Sequence, residues 1–204
     1  MSMEYEAVLP LFTWFHQHPE VGHTEFATTK KIKETLKKMG LEPQPLGTLP
    51  TGTFALIKGR HPGKTLLLRS DIDALPVAEK AEVSYPSLNP GKMHACGHDI
   101  HQTVLLYTAK CLSEVREELH GNVLFIFQPA EEALYGALDT LATKFYEKYP
   151  PDVLTGLHCS PEWDAGTIGL IKGPANASSD FLYITVHGKA GHGAHPENFV
   201  DPIM

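Results

Sequence analysis

Apolar positions recur along the chain with two different periods, and the changes of period mark out its elements. From about Tyr5 to His18 they fall at Val8, Leu11, Phe12 and Phe15, the spacing of one helix face, and the repeat stops before Pro19. A second helix is predicted from about Thr24 to Met39, with Phe26, Ile32, Leu36 and Met39 inward, lysines outward and Gly40 as a left-handed cap. Strand-like runs follow at Gly52–Lys58 and Thr65–Arg69. The segment between them, Gly59-Arg60-His61-Pro62-Gly63, reads as a turn, so the pair is expected to form a hairpin. Helical spacing returns from Ile100 to about Leu119 through Val104, Leu105, Ala109, Leu112 and Val115, and Gly121 closes it before the apolar run Val123–Phe127. A helix over about Leu134–Tyr146 then precedes a strand at Val153–Leu157. After Gly173-Pro174, the alternating stretch Asp180–His187 reads as a further strand.

Helices alternating with short buried strands predict the α/β class, a three-layer sandwich around a mostly parallel central sheet. The chain has 204 residues, which suits one domain and the start of another. The expected division is residues 1–177 for the first domain and 178–204 for the beginning of a small α+β domain.

Composition narrows the function classes. There are 24 acidic and 17 basic residues, a net charge of −7, and no basic cluster beyond the helix face of Lys30, Lys31, Lys33, Lys37 and Lys38, so no nucleic-acid partner is expected. The longest apolar runs are far shorter than the roughly 20 residues that cross a bilayer, which excludes a membrane-embedded chain. The acidic start, Met1 to Glu6, lacks a basic region followed by an apolar stretch, so a cytoplasmic location is expected. In that reducing setting Cys96, Cys111 and Cys159 are not a disulfide framework, and a special cysteine among them would be a ligand or a nucleophile.

Candidate chemistry gathers in four loops at the ends of predicted strands, where open α/β sheets place their sites. Twelve histidines are many for this length, and His94, His98 and His101 fall within eight residues. In Met93-His94-Ala95-Cys96-Gly97-His98-Asp99-Ile100-His101, a thiol and an imidazole flank a glycine whose freedom lets both aim at one ion. Asp99 would suit the N-cap of the next helix. Glu131 and Glu132 follow a strongly apolar strand; adjacent side chains diverge, so one can bind a metal while the other serves a metal-bound water as general base. A plainer reading makes the pair helix-dipole partners. Asp71 and Asp73 have strand spacing and would ligate a hard cation, orient ligand histidines from behind, or cap a turn. His158 follows another strand and is a further ligand candidate.

The strings RSDIDALP at 69–76, MHACGHDIH at 93–101, QPAEE at 128–132, GLHCSPEW at 156–163 and GKAGHGAHPENFVDPI at 188–203 resemble, in content and order, the aminoacylase and carboxypeptidase family of metallopeptidases, in its amidohydrolase branch. The resemblance spans nearly the whole chain. It implies a zinc-peptidase-like catalytic domain, then a lid and dimerisation domain, and a centre of two divalent ions that hydrolyses the amide of a small N-acyl amino acid. By matching position it makes Cys96, His98, Glu132 and His158 metal ligands, with Cys96 bridging the ions. Glu131 becomes the general base, Asp73 the buried aspartate beside the centre, and His192 the lid histidine that stabilises the oxyanion, with a homodimer expected through the lid. Asp71 stands where other branches carry a ligand histidine. Zinc and manganese are the expected metals, and cobalt and nickel also suit such donors. Family members continue beyond this length and supply a last histidine ligand, so the sequence is expected to be the N-terminal portion of such an enzyme. The competing expectations are a non-catalytic metal-binding remnant, a fragment needing a second chain to complete its site, and a cysteine-dependent hydrolase using Cys96, which leaves the paired glutamates unexplained.

Overall fold

His120–Gln128 forms a strand buried along nearly its whole length, and the first part of the molecule is arranged around it. The computed structural model describes residues 5–178, 180 and 182–203, and the chain divides into two compact units, Met1–Pro161 and Glu162–Met204. In chain order the first unit contains α1 (Tyr5–Gln17), α2 (Phe26–Lys38), β1 (Thr53–Lys58), β2 (His61–Asp71), α3 (His98–Glu114), β3 (His120–Gln128), α4 (Gly136–Ala142) and β4 (Val153–Gly156). The sheet order is β1-β3-β2-β4. Strand β2 runs parallel to β3 and β4, and only β1 is antiparallel, so the sheet is mostly parallel as the alternation of elements predicts.

The apolar run of β3 has a two-sided burial behind it. Val123, Phe125 and Phe127 pack on one face with Ala55 and Ile57 of β1 and with Phe15, Ile32, Leu36, Leu105, Leu106 and Ala109 of α1, α2 and α3. Leu124 and Ile126 point the other way and meet Leu67 and Leu46, with Phe54, Leu56 and Phe145 against them. Residues of α4 and the segment after it cover that second face, completing three layers. Full burial of one such side chain contributes about 1.5–3 kcal/mol.

Several local expectations give way to tertiary packing. No hairpin forms between β1 and β2, because β3 lies between them. The Gly59 amide donates to the Gly121 carbonyl at 2.9 Å and the His61 amide to the Leu119 carbonyl at 3.1 Å, so the connection passes across the start of β3. Gly59, read as part of the turn, and Gly121, read as the close of a helix, instead allow backbones to cross: a Cβ on Gly59 would lie 2.4 Å from the Gly121 oxygen, and one on Gly121 would lie 2.0 Å from the Lys64 oxygen. Helix α3 starts at His98, capped by Gly97 at φ 82°, whereas Asp99 occupies its first turn rather than the N-cap. Its end is a short 3-10 turn, Arg116–Glu118. The predicted helix over 134–146 is confined to α4, and Phe26 and Val104, expected inside, are exposed.

In the second unit no strand forms over the described residues 180 and 182–187; Phe181 lies outside them. A strand exists only within a ladder, and alternation alone does not supply one. The described bridge of this unit joins Lys189 and Val200 instead. No helix among the described residues is long and apolar enough to cross a membrane.

Candidate metal centre

Because β2, β3 and β4 are mutually parallel, their C-terminal ends share one edge of the sheet. Asp71 stands opposite Gln128, and Arg69 opposite Gly156. The loops leaving that edge carry Asp73, the Glu131–Glu132 pair and His158, and the N-terminus of α3 brings His98, with Cys96 just before it.

Two imidazoles are prepared in the same way. His98, buried at the start of α3, has Nδ1 at 2.8 Å from the Asp73 carbonyl oxygen. A carbonyl only accepts, so Nδ1 donates, and in the neutral ring Nε2 presents its lone pair. That Nε2 is buried without a hydrogen-bond partner and lies 3.6 Å from Asp71 Oδ2 and 3.8 Å from both Glu131 Oε2 and Glu132 Oε1. His158 donates from Nδ1 to the Cys159 carbonyl at 2.7 Å, which leaves its Nε2 at 3.3 Å from Cys96 Sγ. Donor atoms of Cys96, His98 and His158 lie within 4.8 Å of one another, as do those of His98, Glu131 and Glu132. Fixing Nδ1 on a carbonyl so that Nε2 is offered is how ligand histidines are oriented. A buried polar atom left unpaired costs about 1–3 kcal/mol, and both His98 Nε2 and Glu132 Oε1 are such atoms. The donor set therefore fits a divalent cation by type, separation and unsatisfied valence.

The loop after β3 is held by its backbone. Ala130, buried, takes a positive φ of 55°, a conformation that costs a non-glycine residue of order 1–3 kcal/mol. Its amide donates to Glu25 Oε1 at 2.8 Å, and the amides of Glu131 and Glu132 donate to the two Asp73 oxygens at 3.0 Å each. Three consecutive N–H groups thus rest on two buried carboxylates. The adjacent glutamates are left to diverge, with the Glu131 side chain 40% exposed and that of Glu132 23%.

Asp71, Asp73, Glu131 and Glu132 concentrate negative charge here. Burial, reinforced by Glu132, Glu131 and Asp71, pushes the Cys96 thiol up to about 12, and burial also raises the Glu132 carboxyl. Burial would raise Asp71 as well, but the His101 hydrogen bond and the charges of Arg69 and His98 outweigh it and hold Asp71 at about 2. For His98 burial is outweighed by Asp73 and Asp71, so its value is raised. A divalent cation among these groups reverses the balance, favouring thiolate and carboxylate.

Cys96, His98, Glu131, Glu132, His158 and Asp73 thus come together in the first unit. His192 belongs to the second unit, where its Nδ1 accepts the Ala194 amide at 3.2 Å. Two contributors carried no assigned role in the sequence reading. His101, fully buried, bonds Asp71 and the Cys159 amide; its spacing of three from His98 on one helix, which places both on one face, was the available signal. Glu25 reaches the site loop across 105 positions of sequence and has no local signature.

An open α/β sheet with a Cys/His/Glu donor set at its C-terminal edge defines an α/β protein with a candidate metal centre. More narrowly, the chain belongs to peptidase family M20/M25/M40, whose profile matches residues 67–198. It is 43% identical over 188 residues to an N-acetylcysteine deacetylase of Bacillus subtilis, covering 92% of this chain and 49% of that protein. Against the thermostable carboxypeptidase 2 of Saccharolobus solfataricus it is 41% identical, covering 93% and 48%. A Bacillus subtilis crystal structure described as a dinuclear metal binding peptidase of the M20 family superposes with a TM-score of 0.79 at 40% identity, over 83% of this chain and 46% of that one. The chain spans about half the length of the curated relatives it matches.

Proposed function

We propose that the protein is a metal-dependent amidohydrolase that cleaves the amide bond of a small N-acyl amino acid. The observation that carries this is the paired preparation of His98 and His158, each anchored through Nδ1 to a backbone carbonyl with Nε2 turned toward Cys96 or the glutamates. In this reading Cys96, His98, Glu132 and His158 hold two divalent ions, zinc or manganese in first place, with cobalt or nickel also suited. Bound there, the ions supply Lewis acidity to the acyl carbonyl and acidify the attacking water.

The remaining work falls to this chain's own groups. Glu131, the more open of the two glutamates, takes a proton from the attacking water and delivers it to the departing amine nitrogen as the C–N bond breaks. Asp73 holds the Glu131 and Glu132 amides and so keeps the base apart from the ligand. His192 is assigned to the acyl oxygen as charge develops there, from a lid domain beginning at residue 178 through which two copies pair. The unpaired cysteines suit the reducing cytoplasm. Relatives named as deacetylases of N-acetylcysteine and N-acetyldiaminopimelate support an acylated amino acid as the substrate class.

The test is metal content and turnover of a panel of N-acyl amino acids by the protein loaded with zinc or manganese, alongside Glu131→Gln. Loss of a general base is expected to lower kcat on the order of 10²- to 10⁴-fold with metal content unchanged. Retained turnover in Glu131→Gln would instead favour Cys96 as nucleophile, and bound metal without turnover in the unaltered protein would make it a metal-binding module.

A further inference from the structure

We propose that His101 is a positioning residue that sets His158 through the backbone amide of Cys159, with Asp71 fixing the His101 tautomer. The inference rests on reading His158 as a metal ligand. Its basis is the use made of the two His101 nitrogens. The Cys159 N–H lies 2.9 Å from His101 Nε2 and can only donate, so Nε2 is the unprotonated acceptor. The proton therefore sits on Nδ1 and is donated to Asp71 Oδ1 at 2.7 Å. Although atoms of His101 fall within two of the potential ligand groups, neither nitrogen is left over for an ion. The residue holds rather than ligates.

What it holds has no ladder to rely on. Strand β4 ends at Gly156, two residues before His158, and His158 is exposed. The Cys159 amide is the peptide group immediately after His158, and the His101 ring stands edge-on to the His158 ring with centroids 4.6 Å apart. Cys159 Sγ also lies so near Gly97 that a Cβ there would approach it to 2.3 Å, so the loop seats directly on the turn that carries Cys96 and His98. Behind His101 the chain of bonds continues into the sheet. Arg69 donates from Nη1 to Asp71 Oδ2 at 2.7 Å and from Nε to Gln128 Oε1 at 2.9 Å. The ends of β2 and β3, the first turn of α3 and the loop after β4 are thereby joined through Asp71 and His101. This also gives Asp71 its work: it is the acceptor that selects the tautomer of a buried imidazole.

The test is a cobalt(II) titration of the 204-residue chain, followed by the cobalt d–d bands and the thiolate-to-cobalt charge-transfer band of Cys96. His101→Phe keeps the ring and removes both hydrogen bonds; His101→Gln offers an amide oxygen to the Cys159 N–H. Both are made in the unaltered chain and in His158→Ala. Loss of an orienting partner typically weakens metal binding on the order of 10- to 100-fold, and that loss is expected for His101→Phe in the unaltered background, with substantial recovery in His101→Gln. In the His158→Ala background neither change is expected to weaken binding further. Equal losses in the two backgrounds, or none in either, would overturn the assignment. Should His101→Phe fail to fold by circular dichroism, His101→Gln and His101→Asn carry the comparison, Asn keeping only the Asp71 bond and expected to bind more weakly than Gln. Failure of the unaltered chain to bind cobalt would overturn the reading of the centre itself, and this inference with it.

Discussion

His16 of α1 places one ring nitrogen on each of two carboxylates, Nδ1 at 2.7 Å from Asp99 Oδ2 and Nε2 at 2.8 Å from Glu79 Oε1. Both partners are carboxylates, so the pair of contacts favours the imidazolium, which donates from both nitrogens. The Asp99 bond raises its pKa above the ordinary value, burial opposes, and Glu79 adds to the rise. Nearby His94, buried and held down at about 4, is neutral and does not compete for these carboxylates at ordinary pH. A group whose folded value is raised contributes stability in full below its unfolded value, about 6.5, and loses it as pH rises through the folded one. Replacement by alanine is therefore expected to cost on the order of 1.5–3 kcal/mol in the acid range and progressively less at alkaline pH, read from urea unfolding at a series of pH values. A cost independent of pH would assign it to the ring packing of His16 with Phe12 and Tyr85.

At the scale of elements, the crossing of the β1–β2 connection over the start of β3 is the least forgiving part of the sheet. Gly121 adopts φ 90° and has no room for a Cβ beside the Lys64 backbone. Gly121→Ala is expected to destabilise by at least about 2–3 kcal/mol, measured as a fall in the urea midpoint, whereas alanine at exposed Gly91, which shares a positive φ but has open space around it, should cost only the backbone strain. Equal effects would show that the close passage adds nothing. The same region marks how far local signals reach. Apolar runs located β1, β2, β3 and β4 to within a few residues, but a Gly-rich segment between two strands looks the same whether the strands pair or a third enters between them.

Over the whole first unit, the opposing tendencies are a well-covered sheet and a strand-end edge crowded with carboxylates and a thiol held protonated. Binding to the folded state alone stabilises by RT ln(1 + [L]/Kd), about 2.7 kcal/mol at a hundredfold excess over Kd. Zinc or manganese is thus expected to raise the thermal midpoint of the chain, a chelator to reverse the rise, and a chain carrying both His98→Ala and Glu132→Ala to lack it. A midpoint indifferent to metal in the unaltered chain would count against the centre.

The sequence by itself determined the α/β class, the approximate place of most elements, and the residue types of the candidate centre, because periodicity, caps and short motifs are properties of neighbouring residues. Cys96 and His98 share one turn, Glu131 and Glu132 share one loop, and each pair could be read where it stands. Strand order, the crossing at Gly121, the absence of a ladder over the described residues of 180–187, and the parts played by Glu25 and His101 were decided only in three dimensions. Each depends on which distant backbone group needs a partner once the sheet has closed around β3: the Ala130 amide found its partner on Glu25, which no local pattern singles out, and the Cys159 amide on His101, whose local spacing marked the residue but not its partner.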